Sequence, residues 1–192
     1  RVFDIKGRPY DHPLIIHLSP TEDVTKWGEF NSDAIALAQS FWPGPLTLLV
    51  PRTTRVPDWV TGGRDTVALR VPSHPVTESL LELVADAVVA PSANLFGKVS
   101  PTQAKHVFDD LGEQVDYILE GGPSQIGVES TIVECINTAT ILRPGAISRE
   151  DIEAMIRISM SLDTGESRAP GMLASHYSPA ARVVLVETVE DL

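Results

Sequence analysis

Apolar and polar positions alternate along this chain in short blocks, and the blocks change period repeatedly. Leu14–Leu18 reads as a short buried strand, Leu46–Val50 as an uninterrupted one, and Thr66–Val71 as a third. Ala87–Ala90, Val115–Leu119, Ser130–Ile136 and Thr140–Leu142 add further strand-like runs, with Thr131 and Val133 on one face and Ile132 and Glu134 on the other. Between them the period shifts towards 3.6. Asp33–Ser40 carries an apolar face of Ile35, Leu37 and Ala38, and Glu78–Ala85 carries Leu80, Leu81 and Val84.

Two helix starts are marked by cap, proline and acid or amide, Ser19-Pro20-Thr21-Glu22 and Ser100-Pro101-Thr102-Gln103, and Ser148-Arg149-Glu150-Asp151 caps a last helix to about Ile158. Strands and helices mixed over one core predict an α/β fold. The many Pro and Gly interruptions favour a twisted mixed sheet with flanking helices over a regular doubly wound one. Residues 159–181 lose periodicity and read as a linker after a domain spanning 1–158. Val183–Val186 then begins a strand too short to complete a second domain, expected to start near 182. Arg1-Val2-Phe3 opens without Met, and Asp191-Leu192 follows a fresh strand, so a longer working polypeptide is expected.

Composition narrows the classes. The chain has 192 residues, 43% apolar, without an apolar run of membrane-spanning length. A formal charge of −11 argues against a surface built to neutralise a nucleic-acid backbone, though a local basic cleft survives that average. A lone cysteine, Cys135, excludes an internal disulfide framework and favours a reducing, cytoplasmic compartment. His12, His74, His106 and His176 have no metal-ligand spacing.

Because basic residues are few, their positions are informative. Lys6 and Arg8 flank Gly7; in an extended segment both would face one side, either as a phosphate clamp or as a solvated basic tip. Arg70 interrupts the apolar run Val67–Val71, where a guanidinium needs either a structural carboxylate or an anionic ligand. Arg143 precedes Pro144-Gly145 at another strand end. His17 ends the first strand and is either a satisfied core histidine or a partner for a polar substrate. Ser130-Thr131 supplies hydroxyls that are either turn caps or ligands.

Pro91-Ser92-Ala93-Asn94 follows a buried run and precedes a helix start, a place where α/β proteins put ligands. No Walker loop, G-x-G-x-x-G or G-x-S-x-G is present. Trp42 and Trp59 read as packing residues, with base stacking the alternative.

Taken in order, Lys6-Gly-Arg8-Pro9 with Pro13–His17, Phe41–Leu48, Ala68–Pro72, Pro91–Asn94 with Gly97–Thr102, Gly127–Ile132 and Leu142–Gly145 resemble the YrdC/Sua5 family of threonylcarbamoyl-adenylate synthases. Ala169–Pro179 resembles the linker of the two-domain Sua5 branch, which precedes a small Rossmann-like domain. The resemblance implies a YrdC-like sheet whose N-terminal strand region, with a Thr-x-Thr-x-Tyr-Gly-Leu-like segment, would lie ahead of Arg1. His12 stands where the related pattern often has Asn.

It further implies a nucleotidyltransferase that condenses L-threonine, bicarbonate and ATP, with Mg²⁺, into threonylcarbamoyl-AMP and pyrophosphate, without a protein nucleophile. A tRNA threonylcarbamoyl transferase would use the product to modify adenosine 37. Mapped residue by residue, Lys6 and Arg8 would be catalytic and hold phosphates, with Ser92, Asn94 and Arg143 also on the nucleotide. His17, Arg70 and Ser130 would hold threonine, and Tyr177 would act as a lid. A carbamoyl-adenylate-forming domain of a carbamoyltransferase and an RNA-binding module without turnover are the competing readings. Direct tRNA contact stays open, and no membrane association is expected.

Overall fold

The structure, a computed structural model, describes residues 1–156 and the backbone of Ser161–Leu162. Seven strands form one mixed sheet: β1 (Ile15–His17), β2 (Leu46–Pro51), β3 (Thr66–Arg70), β4 (Val88–Ala90), β5 (Thr131–Glu134), β6 (Thr140–Arg143) and β7 (Ser161–Leu162), in the order β4-β1-β3-β2-β5-β6-β7. The pairs β1/β3, β2/β5 and β6/β7 are parallel, and β1/β4, β2/β3 and β5/β6 antiparallel. The mixed sheet expected from the sequence is the one observed.

The two faces of the sheet have different jobs, set by the two-residue period of a strand. Ile16, Leu48, Val50, Val67, Leu69, Val133 and Ile141 fill the main core. Against that core pack residues of α2 (Ser32–Phe41), with Ala34 and Leu37 fully buried, and of α6 (Arg149–Ile156), with Ile152 fully buried. Asn31 caps α2 by accepting from the Ala34 amide at 2.9 Å, and the Ser148 hydroxyl caps α6 by accepting from the Asp151 amide at 3.1 Å.

The opposite face carries only a small apolar cluster, Ile15, Leu49, Ala68, Ile132 and Leu142. By the same alternation His17 shares this face with Ile15, Arg70 with Ala68, and Ser130 with Ile132. Arg143 would point to the core by strict alternation from Ile141. The β5/β6 register shifts between Ile132 and Val133, and this irregularity accompanies the turning of the Arg143 side chain towards Ser130.

Elsewhere the sequence signals mislead. Lys6-Gly7-Arg8 is not extended: α1 (Val2–Lys6) ends at Gly7, whose φ of +61° is the left-handed conformation glycine favours. The Gly7 and Arg8 amides donate to Asp4 and Phe3 carbonyls, closing the helix end. Ser19 starts no helix, only a turn; the helical residues there are the 3₁₀ segment Val24–Lys26, capped by Asp23. Val115–Leu119 forms no strand, and Tyr117 and Leu119 are exposed. The short β7 lies inside the stretch read as linker.

After the short helix α3 (Asp58–Thr61), helix α4 (Pro75–Val84) forms where a helix was expected, but of its expected apolar face only Leu81 is buried while Leu80 and Val84 are exposed; α5 (Ala104–Leu111) starts three residues beyond the expected Pro101, with Gln103 and not Ser100 at its N-cap. The interdomain segment around Tyr177 and the strand at Val183–Val186 lie outside the described residues.

Candidate active site

The second face of the sheet opens into two adjoining cavities. An outer cleft of about 1000 Å³ runs from His74 and Val76 past Val99, Ile126 and Val128, so much of its rim is apolar. An inner chamber of about 220 Å³ is bounded by Arg8, Pro13–Ile15 and Pro91. His17, Arg70, Ser92, Glu129, Ser130 and Arg143 line both. The shared wall thus holds two guanidiniums, one imidazole, two serines and one carboxylate, in a chain of net charge −11.

Arg143 is the best-anchored cation. It is 7% exposed and donates from Nε (3.0 Å) and Nη2 (2.8 Å) to the Ser130 carbonyl, and from Nη2 to Ser130 Oγ at 2.9 Å. Ser130 Oγ also shares a 2.8 Å hydrogen bond with Thr47 Oγ1, fully buried in β2. Glu129 Oε2 lies 3.9 Å from Arg143 Nη2.

Gly145 makes this corner possible. A Cβ there would stand 2.5 Å from the Thr131 nitrogen and 2.6 Å from the Ser130 carbonyl carbon, closer than atoms approach. The Ala146 amide donates to Glu129 O at 3.0 Å, locking the two segments together.

Arg8 is held differently. Its Nη2 donates to the Pro13 carbonyl at 2.7 Å and its guanidinium lies 5.6 Å from the Phe96 ring centre, yet Nε is buried without a partner. A buried N–H donor facing a polar chamber is costly until something accepts from it. Arg70 donates from Nε to Gly44 O at 3.1 Å; burial lowers its pKa, Glu129 opposing that shift and Arg143 adding to it.

His17 sits opposite Arg70 in the β1/β3 register. Burial, then Arg70, pushes its pKa down to about 4, so the ring is neutral near pH 7, and Nδ1 is buried without a partner. A neutral imidazole with an open nitrogen suits a polar, uncharged group of a substrate.

Lys6 and Asn94 line neither cavity. Lys6 is 5% exposed, and its ammonium donates to Ser92 O at 2.5 Å and to Asn94 O. Burial first, then Arg8, pushes its pKa down to about 8. The Asn94 amide donates to the Leu95 and Lys98 carbonyls at 2.9 and 2.8 Å, while its Oδ1 is buried without a partner. Both residues therefore brace the 91–98 loop from behind, while Pro91, Ser92 and Ala93 of that loop face the cavities, Ser92 lining both.

The sequence reading gave no role to Thr47 and Glu129. Thr47 was indistinguishable from an ordinary strand threonine. Glu129 stood inside a quoted motif, and its only local signal was a carboxylate beside the Ser130 hydroxyl. It accepts a short hydrogen bond from Ser100, whose hydroxyl was read as a helix cap. Among the described residues no three His, Cys, Asp or Glu side chains gather to hold a metal ion, and Glu129 is the single acid in the lining of either cavity.

A mixed α/β domain that converges cations on a two-part cavity at its strand ends is built to bind anions. Residues 1–145 match the Sua5, YciO and YrdC family model, described as "Telomere recombination", and residues 147–192 match the C-terminal domain model of threonylcarbamoyl-AMP synthase. The chain belongs to this Sua5/YciO/YrdC family.

It is 44% identical over its full length to the threonylcarbamoyl-AMP synthase of Pyrococcus abyssi and 42% identical over 97% of its length to that of Bacillus subtilis, covering 58% and 56% of those proteins. The crystal structure of P. abyssi Sua5 complexed with L-threonine is similar over 94% of this chain and 56% of that one, at 43% identity and a TM-score of 0.89. The chain thus spans a little over half the length of these relatives.

Proposed function

We propose that this chain provides the catalytic domain of an L-threonylcarbamoyladenylate synthase, forming threonylcarbamoyl-AMP, pyrophosphate and water from L-threonine, bicarbonate and ATP. The likeness to a relative complexed with L-threonine, over 94% of this chain, carries the proposal. The residues lining the cavities fit the chemistry. The inner chamber has the volume for a small amino acid and bicarbonate, and the outer cleft has the volume and apolar rim for a nucleoside.

In this reading the threonine ammonium first gives up a proton to solvent, and the amine nitrogen bonds to the bicarbonate carbon with loss of water, giving a carbamate; the pyrophosphate that leaves later takes up a proton, so the overall step balances. A carbamate oxygen then attacks the α-phosphorus of ATP and pyrophosphate leaves. Every group on the cavity walls acts by position and charge: Arg8, Arg70 and Arg143 neutralise carboxylate, carbamate and phosphate oxygens, and no protein nucleophile is required. Arg8 Nε gains an acceptor when the anion arrives. His17 remains neutral beside threonine, and Ser92 and Ser130 orient the two substrates. Lys6 and Asn94 act at one remove by fixing the loop that presents Ser92.

Mg²⁺ enters as part of the ATP substrate. With one acid on the cavity walls, the described residues offer no resident cage, and Mg²⁺ bound mainly through substrate phosphates needs none. The product would pass to a transferase that modifies adenosine 37 of tRNA. The described residues lack a helix long and apolar enough to cross a membrane.

Incubating the protein with MgATP, labelled L-threonine and bicarbonate should yield labelled threonylcarbamoyl-AMP, with pyrophosphate release that requires both co-substrates. Pyrophosphate release that needs carbamoyl phosphate instead would replace this reading with carbamoyl-adenylate formation. Salt-sensitive tRNA binding without turnover would replace it with an RNA-binding module.

A further inference from the structure

We propose that Glu129 is the group that recognises the amino nitrogen of the amino-acid substrate. The inference rests on the threonine reading above and adds a residue to it. A zwitterionic amino acid needs cations for its carboxylate and an acceptor, best a charged one, for its ammonium. The shared wall supplies cations in excess but a single acid, Glu129, which lines both cavities.

The neighbouring main chain does not offer an equivalent. The carbonyls of Pro13, Gly44, Ser92 and Ser130 each already accept from Arg8, Arg70, Lys6 and Arg143 respectively. A second donor at any of them would be an ammonium packed against an existing cation. At Glu129 the ammonium instead meets opposite charge.

The carboxylate is also held in place. Oε1 accepts from Ser100, its backbone carbonyl accepts from Ala146, and Gly145 packs against the following residues. Oε2 forms an ion pair with Arg143 Nη2 at 3.9 Å, too long for a hydrogen bond, so its lone pairs stay open to a donor. The carboxylate side chain is 29% exposed, partly open for an incoming donor. Held there, the amino group would sit between the two compartments, on the route from bicarbonate to the α-phosphate.

The test compares L-threonine with its 2-hydroxy acid analogue, which replaces the amino group by hydroxyl, by calorimetric titration of wild type and Glu129→Gln. Wild type should bind L-threonine about tenfold to a hundredfold more tightly than the analogue. Glu129→Gln keeps the size and the Ser100 acceptor, and should bind the two alike while ATP affinity changes less than about twofold.

If the variant keeps the wild-type discrimination, or loses ATP and threonine affinity equally, the assignment is overturned. Should it fail to melt cooperatively, Glu129→Asp serves: retained charge at shorter reach should reduce discrimination to severalfold, and undiminished discrimination overturns the proposal. A wild-type protein that binds no L-threonine instead sinks the proposed function itself.

Discussion

The two ends of the inner chamber treat their cations in opposite ways. At the β5/β6 end Arg143 is bonded to the carbonyl and hydroxyl of Ser130, within a buried net that reaches Thr47. At the α1/β1 end Arg8 spends one nitrogen on Pro13 and leaves Nε buried without a partner, while Lys6 behind it bonds only loop carbonyls. A guanidinium whose donors are satisfied by its own protein is part of the architecture. One left with an open donor is completed by ligand, so folding and binding draw unequally on chemically identical groups.

The sharpest way to break this contrast is Arg8→Ala. Threonylcarbamoyl-AMP formation should fall about a hundredfold or more, while the urea midpoint should fall less than in Arg143→Ala, because Arg8 satisfies a single buried acceptor, the Pro13 carbonyl, through one nitrogen. Equal losses of stability and activity would erase the distinction. Arg143→Ala should show the reverse emphasis. Stripping the Ser130 carbonyl and hydroxyl of a buried donor should cost about 2–3 kcal/mol of unfolding free energy in urea denaturation. A stable Arg143→Ala protein that is merely inactive would place Arg143 with Arg8.

The smallest effect is a pH dependence at Lys6. Its folded pKa is lowered from 10.5 to about 8, so below pH 8 folded and unfolded chains both hold the proton. Between pH 8 and 10.5 the unfolded chain keeps a proton the folded one sheds, and this group's contribution to stability rises with pH. The charge-assisted bonds to Ser92 and Asn94 weaken over the same interval. Activity should therefore decline about twofold at pH 8 while stability from this residue does not, and Lys6→Arg should move that decline to higher pH. An alkaline limb unchanged in Lys6→Arg would assign it elsewhere.

The contrast also marks what the sequence could show. The strands that end in His17 and Arg70 and the one that begins just after Ser130 were legible from their apolar runs, and alternation correctly split Val133 from Ile132. The Lys6–Arg8 corner was not: a five-residue helix is too short for a periodic signal, and Gly7 as a left-handed terminator looks the same in text as Gly7 in an extended clamp. Val115–Leu119 had strand-forming residues but no neighbouring strand to pair with.

Asn94 shows the same limit at the level of a side chain. Its amide was equally suited to a ligand or to its own loop, and only the folded geometry shows it turned inward to Leu95 and Lys98. Glu129 was visible as a letter, but its meaning depends on three cations brought from distant positions in the chain.

Gly145 carries a consequence for anyone reshaping this domain. Where two main-chain segments cross without a side chain between them, that boundary of the cavity has no adjustable volume. New amino-acid preferences should therefore be sought at Pro13, Ile15 and Ser92, whose side chains can be traded for larger or smaller ones. The glycine side acts as the fixed jaw of a vice, and selectivity can be retuned only by resetting the movable one.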